Sequence, residues 1–319
     1  MATITSGSLT LADLAKRMNN NNMLAIAEVL SEENEVLRDA IHVEANGTTI
    51  HTFNQRKSEP TIGWRAINEG TAVGKSYVTQ EEEGMGMLEA WSQVDAKLVD
   101  LAPDKAAFRS DEDLAFVSAI GKQFADDFIH GNLATTPKGI KGLANRYNAT
   151  SMANVESAAG TSVRTSIYIV QWGKTKAHLI YPMGSKIGLQ IDDKGKQVVL
   201  DGDKNPYDAY RTKFTFDTGV VVHDDRCVQR ICNIKSTDLF STSLIDNFII
   251  KALNRMPNRG AGASIYMNSN LISQFDIQAK DKTNVNYGTK NIWGEDVTTF
   301  KTRPIRMIDK ITDAEDAVS

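Results

Sequence analysis

Apolar positions recur at Leu114, Val117, Ile120, Phe124 and Phe128, spacings of three and four that bring them to one side of a helix, while Ser118, Lys122 and Asp126 fall opposite. Ser110 followed by Asp111, Glu112 and Asp113 offers a capping hydroxyl and an acidic first turn, which the helix dipole favours. Gly131, free to adopt left-handed backbone, and Pro137 beyond it stop the run. The pattern predicts a helix over 110–129, ~30 Å long at ~1.5 Å per residue, with its five large apolar side chains in a core. An ordinary core helix is sufficient to explain this segment by itself.

Ahead of this helix the pattern is thinner. Leu11, Leu14, Ala15 and Met18 share one helical face, and Leu24, Ala27 and Leu30 begin a second, split by the joint Asn19–Asn22; Val36, Leu37 and Ile41 continue it loosely. Neither piece is long enough to be stable alone. Rough period-two alternation predicts an outgoing strand at Thr48–Phe53 and a returning one at Met87–Leu98. The long tip between them carries Pro60, Gly63, Gly70, Gly74, the run Glu81-Glu82-Glu83 and Gly84, with little that forms a core. A lone two-stranded hairpin is marginal in water, and so long an irregular connection is usually functional or held by a partner. Two solutions remain open here: another subunit stabilises the arm, or it folds back on its own body with a mobile tip.

Behind the helix a glycine-punctuated turn spans 131–143, followed by a polar stretch to 162. Strands are predicted at 166–172, 177–181, 197–200, 210–216, 218–222 and 228–233, parted by turn signals such as Trp172-Gly173-Lys174, Asp193-Lys194-Gly195-Lys196 and Asp201-Gly202-Asp203. A helix at 244–256, stopped by Pro257, then a strand at 263–268, a short helix at 271–279 and strands at 298–300 and 305–308 complete a layered α+β or α/β body.

Composition narrows the function classes. With 319 residues, 41% of them hydrophobic, the chain supports one large or two ordinary cores, and no apolar run approaches the ~18 residues of a membrane span. The 36 basic and 40 acidic residues are interleaved to a net charge of −4, which argues against tight non-specific DNA binding. Candidate chemistry is sparse: no G-x-G-x-x-G, Walker, G-x-S-x-G or H-E-x-x-H pattern occurs. His42, His51, His130, His178 and His223 are scattered. His223-Asp224-Asp225 with Cys227 and Cys232 nearby is the best metal candidate, but adjacent strand residues point to opposite faces, so no metal site is expected there. Neither catalytic residues nor cofactors are expected.

Several stretches in order carry a family resemblance: Ile26–Asp39, the hairpin with Trp64-Arg65-Ala66-Ile67-Asn68-Glu69-Gly70, Phe124–Gly131, Pro206–Arg211 with Val228–Asn233, Ile265–Asn268, and Gly294–Val297 with Arg303–Arg306. Together they resemble the major capsid proteins of tailed bacteriophages, the Johnson or Hong Kong 97-type shell fold. That likeness implies an N-terminal arm at 1–45, an extended β-hairpin loop at 46–101, a peripheral domain at 102–162 holding the spine helix, a β-rich segment at 163–240 whose domain is undecided, and an axial domain at 241–319. It also implies pentamers and hexamers of this chain closing into an icosahedral shell around double-stranded DNA, assembled in the bacterial cytoplasm with a separate scaffolding protein, a portal and a possible decoration protein, and no membrane.

On that reading Arg56, Lys57, Trp64, Arg65, Glu69, Glu81, Glu82 and Glu83 of the loop contact a neighbouring subunit, where ion pairs add little energy but set register. The covalent loop cross-link of some relatives is not carried over, because no motif here supports it. The alternatives are an encapsulin-like nanocompartment of the same fold and an enzyme with a mobile lid at 54–86.

Overall fold

In the computed structural model the described residues are 18–19, 22–23, 34–236, 244–279, 287–292 and 295–319. They begin with a two-residue antiparallel pair, β1 (Met18–Asn19) and β2 (Asn22–Met23), which straddles the Asn run. The helices expected at 11–18 and 24–30 lie outside the described residues except for Met18, which is in β1 and not in a helix. Then come α1 (Glu35–Asp39), β3 (His42–Glu44), β4 (Ile50–Ser58), β5 (Tyr77–Gly84), β6 (Gly86–Asp95), α2 (Ala96–Leu101), α3 (Lys105–His130) and α4 (Leu143–Arg146). They are followed by β7 (Val155–Ser157), β8 (Arg164–Gln171), β9 (Ala177–Tyr181), β10 (Gln190–Leu200), β11 (Pro206–Val222), β12 (Val228–Lys235) and α5 (Leu244–Arg255). The chain closes with β13 (Ala263–Met267), α6 (Ser269–Ala279), β14 (Tyr287–Ile292), β15 (Glu295–Phe300) and β16 (Arg303–Met307). Two compact units divide them: one takes in Met87–Ala125 and Lys186–Asp217, the other Glu35–Gly86, Asp126–Ser185 and Thr218–Ser319.

The first unit packs most of α3 on a sheet. The helix starts at Lys105, five residues before the expected cap, because the Asp104 carboxylate accepts from the backbone N–H groups of Ala106 and Ala107, both at 3.0 Å. Ser110–Asp113 is therefore helix interior. The earlier start reveals a ladder of four: Phe108, Phe116, Ile120 and Phe124 face inward, while Leu114 is 55% exposed and does not join the core as expected. Phe116 stacks on Phe214 at 5.9 Å between ring centroids, and Phe124 meets Phe216 edge-on at 5.4 Å. Val94, Leu98, Val99, Ala102 and Phe108 close the other end of this core.

β10 pairs antiparallel with β11 from Gln190↔Thr215 to Leu200↔Pro206, and β6 also pairs β11. Two expected breaks are absent. Asp193–Lys196 is a bulge inside β10, where Gly195 takes φ +67°, and 210–216 and 218–222 are one continuous strand. A bulge absorbs turn-forming residues without ending the ladder.

The second unit holds a seven-stranded sheet in the order β14-β15-β16-β13-β8-β12-β7, together with the β4–β5 pair and with β3 and β9, which line up beside the end of β11. β8, β12 and β13 are buried along nearly their whole lengths, as expected of strands covered on both faces. Ile167, Ile169, Ile231, Ile265 and Met267 alternate toward Ile245, Ile249 and Leu253 of α5 and Leu271 and Phe275 of α6. The other side of β12 places Arg230 against Glu315 at 3.0 Å, with both side chains almost inaccessible, and Arg230 also donates to the carbonyl of Tyr147 at 2.8 Å. On β13 and β16, Tyr266 and Arg306 hold Asp39 of α1 at 3.2 and 3.0 Å. Cutting one partner from such a buried pair costs about 3–5 kcal/mol.

The glycine loop after α3 belongs to this unit. Gly131 does not use left-handed backbone; it is needed because a Cβ there would lie 2.3 Å from the carbonyl oxygen of Asp127 and 2.4 Å from that of Ile140. The Asn145 amide caps the helix end instead, donating to the carbonyls of His130 and Gly131 at 2.9 and 2.8 Å.

Candidate functional site

The hairpin β4–β5 separates into a root and a tip. Its strands pair from Ile50↔Gly84 to Ser58↔Tyr77, so the returning strand is Tyr77–Gly84 and not Met87–Leu98 as alternation suggested. The Glu81–Glu83 run is part of that strand rather than of an irregular tip; β6 and α2 occupy the stretch expected to return. Three consecutive charged residues read as a loop, yet a two-stranded ribbon largely open to solvent tolerates them on both faces.

At the root, Phe53 is buried with Ala45, Ile180 and Val221, and Met85 packs on the cluster. Close backbone approach holds β5 in place: a Cβ on Gly219 would lie 2.8 Å from the carbonyl oxygen of Gly84, and one on Gly86 would lie 3.1 Å from Ile140 Cγ2. Arg146, at the end of α4, grips both oxygens of Glu83, one of them at 2.7 Å, and donates to the carbonyls of Val220 at 2.9 Å and Lys141 at 3.1 Å. The fork geometry of guanidinium suits this two-oxygen grip, and both side chains are largely buried.

Beyond Phe53 the environment changes. Every residue from 56 to 80 is exposed. Ile62, Trp64, Ile67 and Val73 are 91%, 104%, 93% and 100% accessible, an apolar set with no cover among the described residues. A turn at Asn68, with φ 64°, shapes the tip, where the Glu69 carboxylate accepts from the backbone N–H of Ala66 at 3.3 Å. At the neck a Cβ on Gly74 would lie 3.2 Å from the Thr61 backbone nitrogen and 3.3 Å from the Pro60 side chain, so the two strands leave and return at one point.

The eight loop residues singled out by sequence therefore split. Trp64, Arg65 and Glu69 stand on the tip; Arg56, Lys57, Glu81 and Glu82 line the ribbon, where Lys57 and Glu81 pair loosely at 3.6 Å; Glu83 is engaged at the root by Arg146. Sequence reading missed Arg146, Phe53 as anchor, and the apolar trio Ile62, Ile67 and Val73. The signal for the trio was present: large apolar residues in a stretch whose glycines and prolines give them no core.

The His223-Asp224-Asp225 run does not converge on one point. Asp224 is held by Arg226 at 2.8 Å and accepts from its backbone N–H at 2.9 Å, Asp225 accepts from the Tyr147 hydroxyl at 3.3 Å, and burial pushes the Cys227 thiol up to about 11. An open groove among Arg146, Asn154, Asp225 and Arg255 takes no wall from 54–86, where the lid of an enzyme would be expected.

A hairpin arm, a spine helix and a layered α+β body define a shell-forming fold of the Hong Kong 97 type. The solved structure of bacteriophage Epsilon15, derived from cryo-EM and modelling, is similar over 100% of this chain and 99% of its own, with a TM-score of 0.76 and 26% identity. The bacteriophage JBD30 capsid is similar in fold, with a TM-score of 0.52 at 9% identity over 95% of this chain and 99% of that one. No curated protein sequence matches. Residues 18–319 match the family described as Major capsid protein GP7, and the chain belongs to that family. It is a structural subunit of a tailed-phage shell, and the family assignment favours that reading over the nanocompartment.

Proposed function

We propose that the tip of the extended hairpin lies across a neighbouring copy of the chain and that this contact, repeated around rings, builds the shell. The observation that carries the reading is the set Ile62, Trp64, Ile67 and Val73, fully solvated on a two-stranded ribbon that no core supports. Covering four such side chains supplies roughly 6–12 kcal/mol, at ~1.5–3 kcal/mol each. Association itself costs ~4–15 kcal/mol, so one such contact is marginal and closed rings, in which every copy both gives and receives a tip, are the stable solution. Arg56, Lys57, Arg65, Glu69, Glu81 and Glu82 set the register of that overlap; Glu83 acts earlier, by fixing the root.

The same reading assigns residues 1–45 to an arm, 46–101 to the loop, 102–162 to a peripheral domain and 241–319 to an axial domain, with 163–240 shared between them. Pentamers and hexamers would enclose double-stranded DNA without reading its sequence, a role suited to a chain of net charge −4. A separate scaffolding protein and a portal complete the partners on this reading, which leaves a decoration protein open, and assembly takes place in the host cytoplasm.

The test is a deletion of 61–74, which joins Pro60 to Lys75 across the neck. Sedimentation and electron microscopy are expected to show folded subunits and no closed shells. Normal shells from that deletion would overturn the proposal.

A further inference from the structure

Three histidines far apart in sequence meet at the root of the hairpin. His51 lies two residues before Phe53 on β4, His178 two before Ile180 on β9, and His223 two after Val221 at the end of β11. Strand side chains repeat every second residue, so the apolar cluster of Phe53, Ile180 and Val221 is continued on the same face by a layer of three imidazoles. One nitrogen from each lies within 4.8 Å of the other two. The ring centroids are 5.1 Å apart for His178 and His223, 6.1 Å for His51 and His178, and 6.3 Å for His51 and His223.

His178 is the central observation. It is 1% exposed, and neither ring nitrogen makes a hydrogen bond of normal geometry among the described residues, although the Gly173 backbone lies near enough to favour its charged form. A buried polar group without a partner costs about 1–3 kcal/mol and is unusual enough to require a reason. Burial, then the charges of His223 and His51, push its pKa down to about 4, with the Gly173 backbone opposing. Burial lowers His51 and His223 as well. Burial thus favours the uncharged form at all three rings, and an uncharged imidazole keeps a lone pair. Among the described residues no carboxylate or thiolate shares the cluster.

We propose that His51, His178 and His223 form a binding site for one transition-metal dication of the zinc class, with three imidazole ligands and a fourth position left to water. Three neutral imidazoles with an open fourth place suit a borderline-soft ion and suit magnesium or calcium poorly. Tetrahedral geometry at ~2.0–2.1 Å from metal to nitrogen sets ligand atoms ~3.3 Å apart, so the rings must draw together by about 1.5 Å or less. The long hydrogen bond from the Asn46 backbone N–H to His51 Nδ1, 3.3 Å, is given up in the process. His51 and His223 are only half buried and provide the way in. The ion would join β4, which pairs only with β5, to β9 and β11 of a separate sheet, fastening the hairpin where it leaves the body.

The experiment uses the full chain without a polyhistidine tag, stripped with chelator, desalted and titrated with Zn2+ or Co2+. The expected result is one Zn2+ retained per chain by elemental analysis, and for Co2+ a visible ligand-field band of the intensity that marks four-coordination. The half-exposed positions make the safest variants: H51Q and H223Q are each expected to weaken binding at least tenfold while the far-UV spectrum is unchanged. Retention of less than a tenth of an equivalent by the wild-type chain would overturn the proposal. So would a Co2+ spectrum identical to that of the aquated ion, or binding that survives in both variants. The cobalt spectrum reads the site in the unaltered protein, so it decides the question even if a variant fails to fold.

Discussion

Root and tip of one hairpin, joined by the same two strands, are held by opposite means. The root is over-determined: a buried phenylalanine, a two-oxygen arginine grip and two glycines that let backbones touch all fix it within the chain. The tip has several large apolar side chains and no partner for them among the described residues. Rigid anchorage of an unsatisfied end is what an assembly element needs, because a tip aimed by its root meets a neighbour without a further ordering cost in the arm. Losing the root should therefore damage the subunit, whereas losing the tip should damage only the shell.

Four substitutions sharpen that division. F53A should have the largest effect on the isolated subunit, about 3–5 kcal/mol by denaturant unfolding, because it leaves a cavity between Ile180 and Val221. R146M leaves Glu83 largely buried without its cation and should cost about 3 kcal/mol, with faster proteolysis of the whole hairpin as a second readout. W64A should change subunit stability by less than about 0.5 kcal/mol and yet raise the concentration needed for shell assembly by tenfold or more, measured by light scattering. A stability loss from W64A as large as that from F53A would erase the distinction between root and tip. K57E comes last: its 3.6 Å pair with Glu81 is half exposed and worth about 0.2–1 kcal/mol, less than the tenfold assembly effect of W64A, and its effect on assembly should weaken with salt.

Much of the architecture was legible in advance. The strand at 177–181 matches its expected bounds, and those around 166–172, 228–233 and 263–268 are displaced by one or two residues, because buried central strands carry continuous apolar runs bounded by turn residues. The spine helix was legible in kind but not in phase: Asp104 is the cap, and with the start moved to Lys105 the inward face runs through Phe108 and Phe116 and excludes Leu114. Gly131 follows the helix end as expected but without the left-handed backbone expected of it; crowding from two carbonyls, not a positive φ, requires the glycine. The turn signals at Asp193–Lys196 failed because a bulge and a turn have the same composition.

Sequence by itself determined the run of buried strands from 166 to 268 and the absence of a core in the hairpin tip, because each depends on composition and period within a short window; the shell family came from the resemblance of several stretches taken in order. Only the tertiary structure decided which strand closes the hairpin, that Arg146 holds Glu83, and that His51, His178 and His223 share one face. Those facts belong to residues 63, 45, 127 and 172 positions apart in the chain. No local pattern encodes which distant strands lie side by side; register and packing bring them together, and only then do their side chains have chemistry in common.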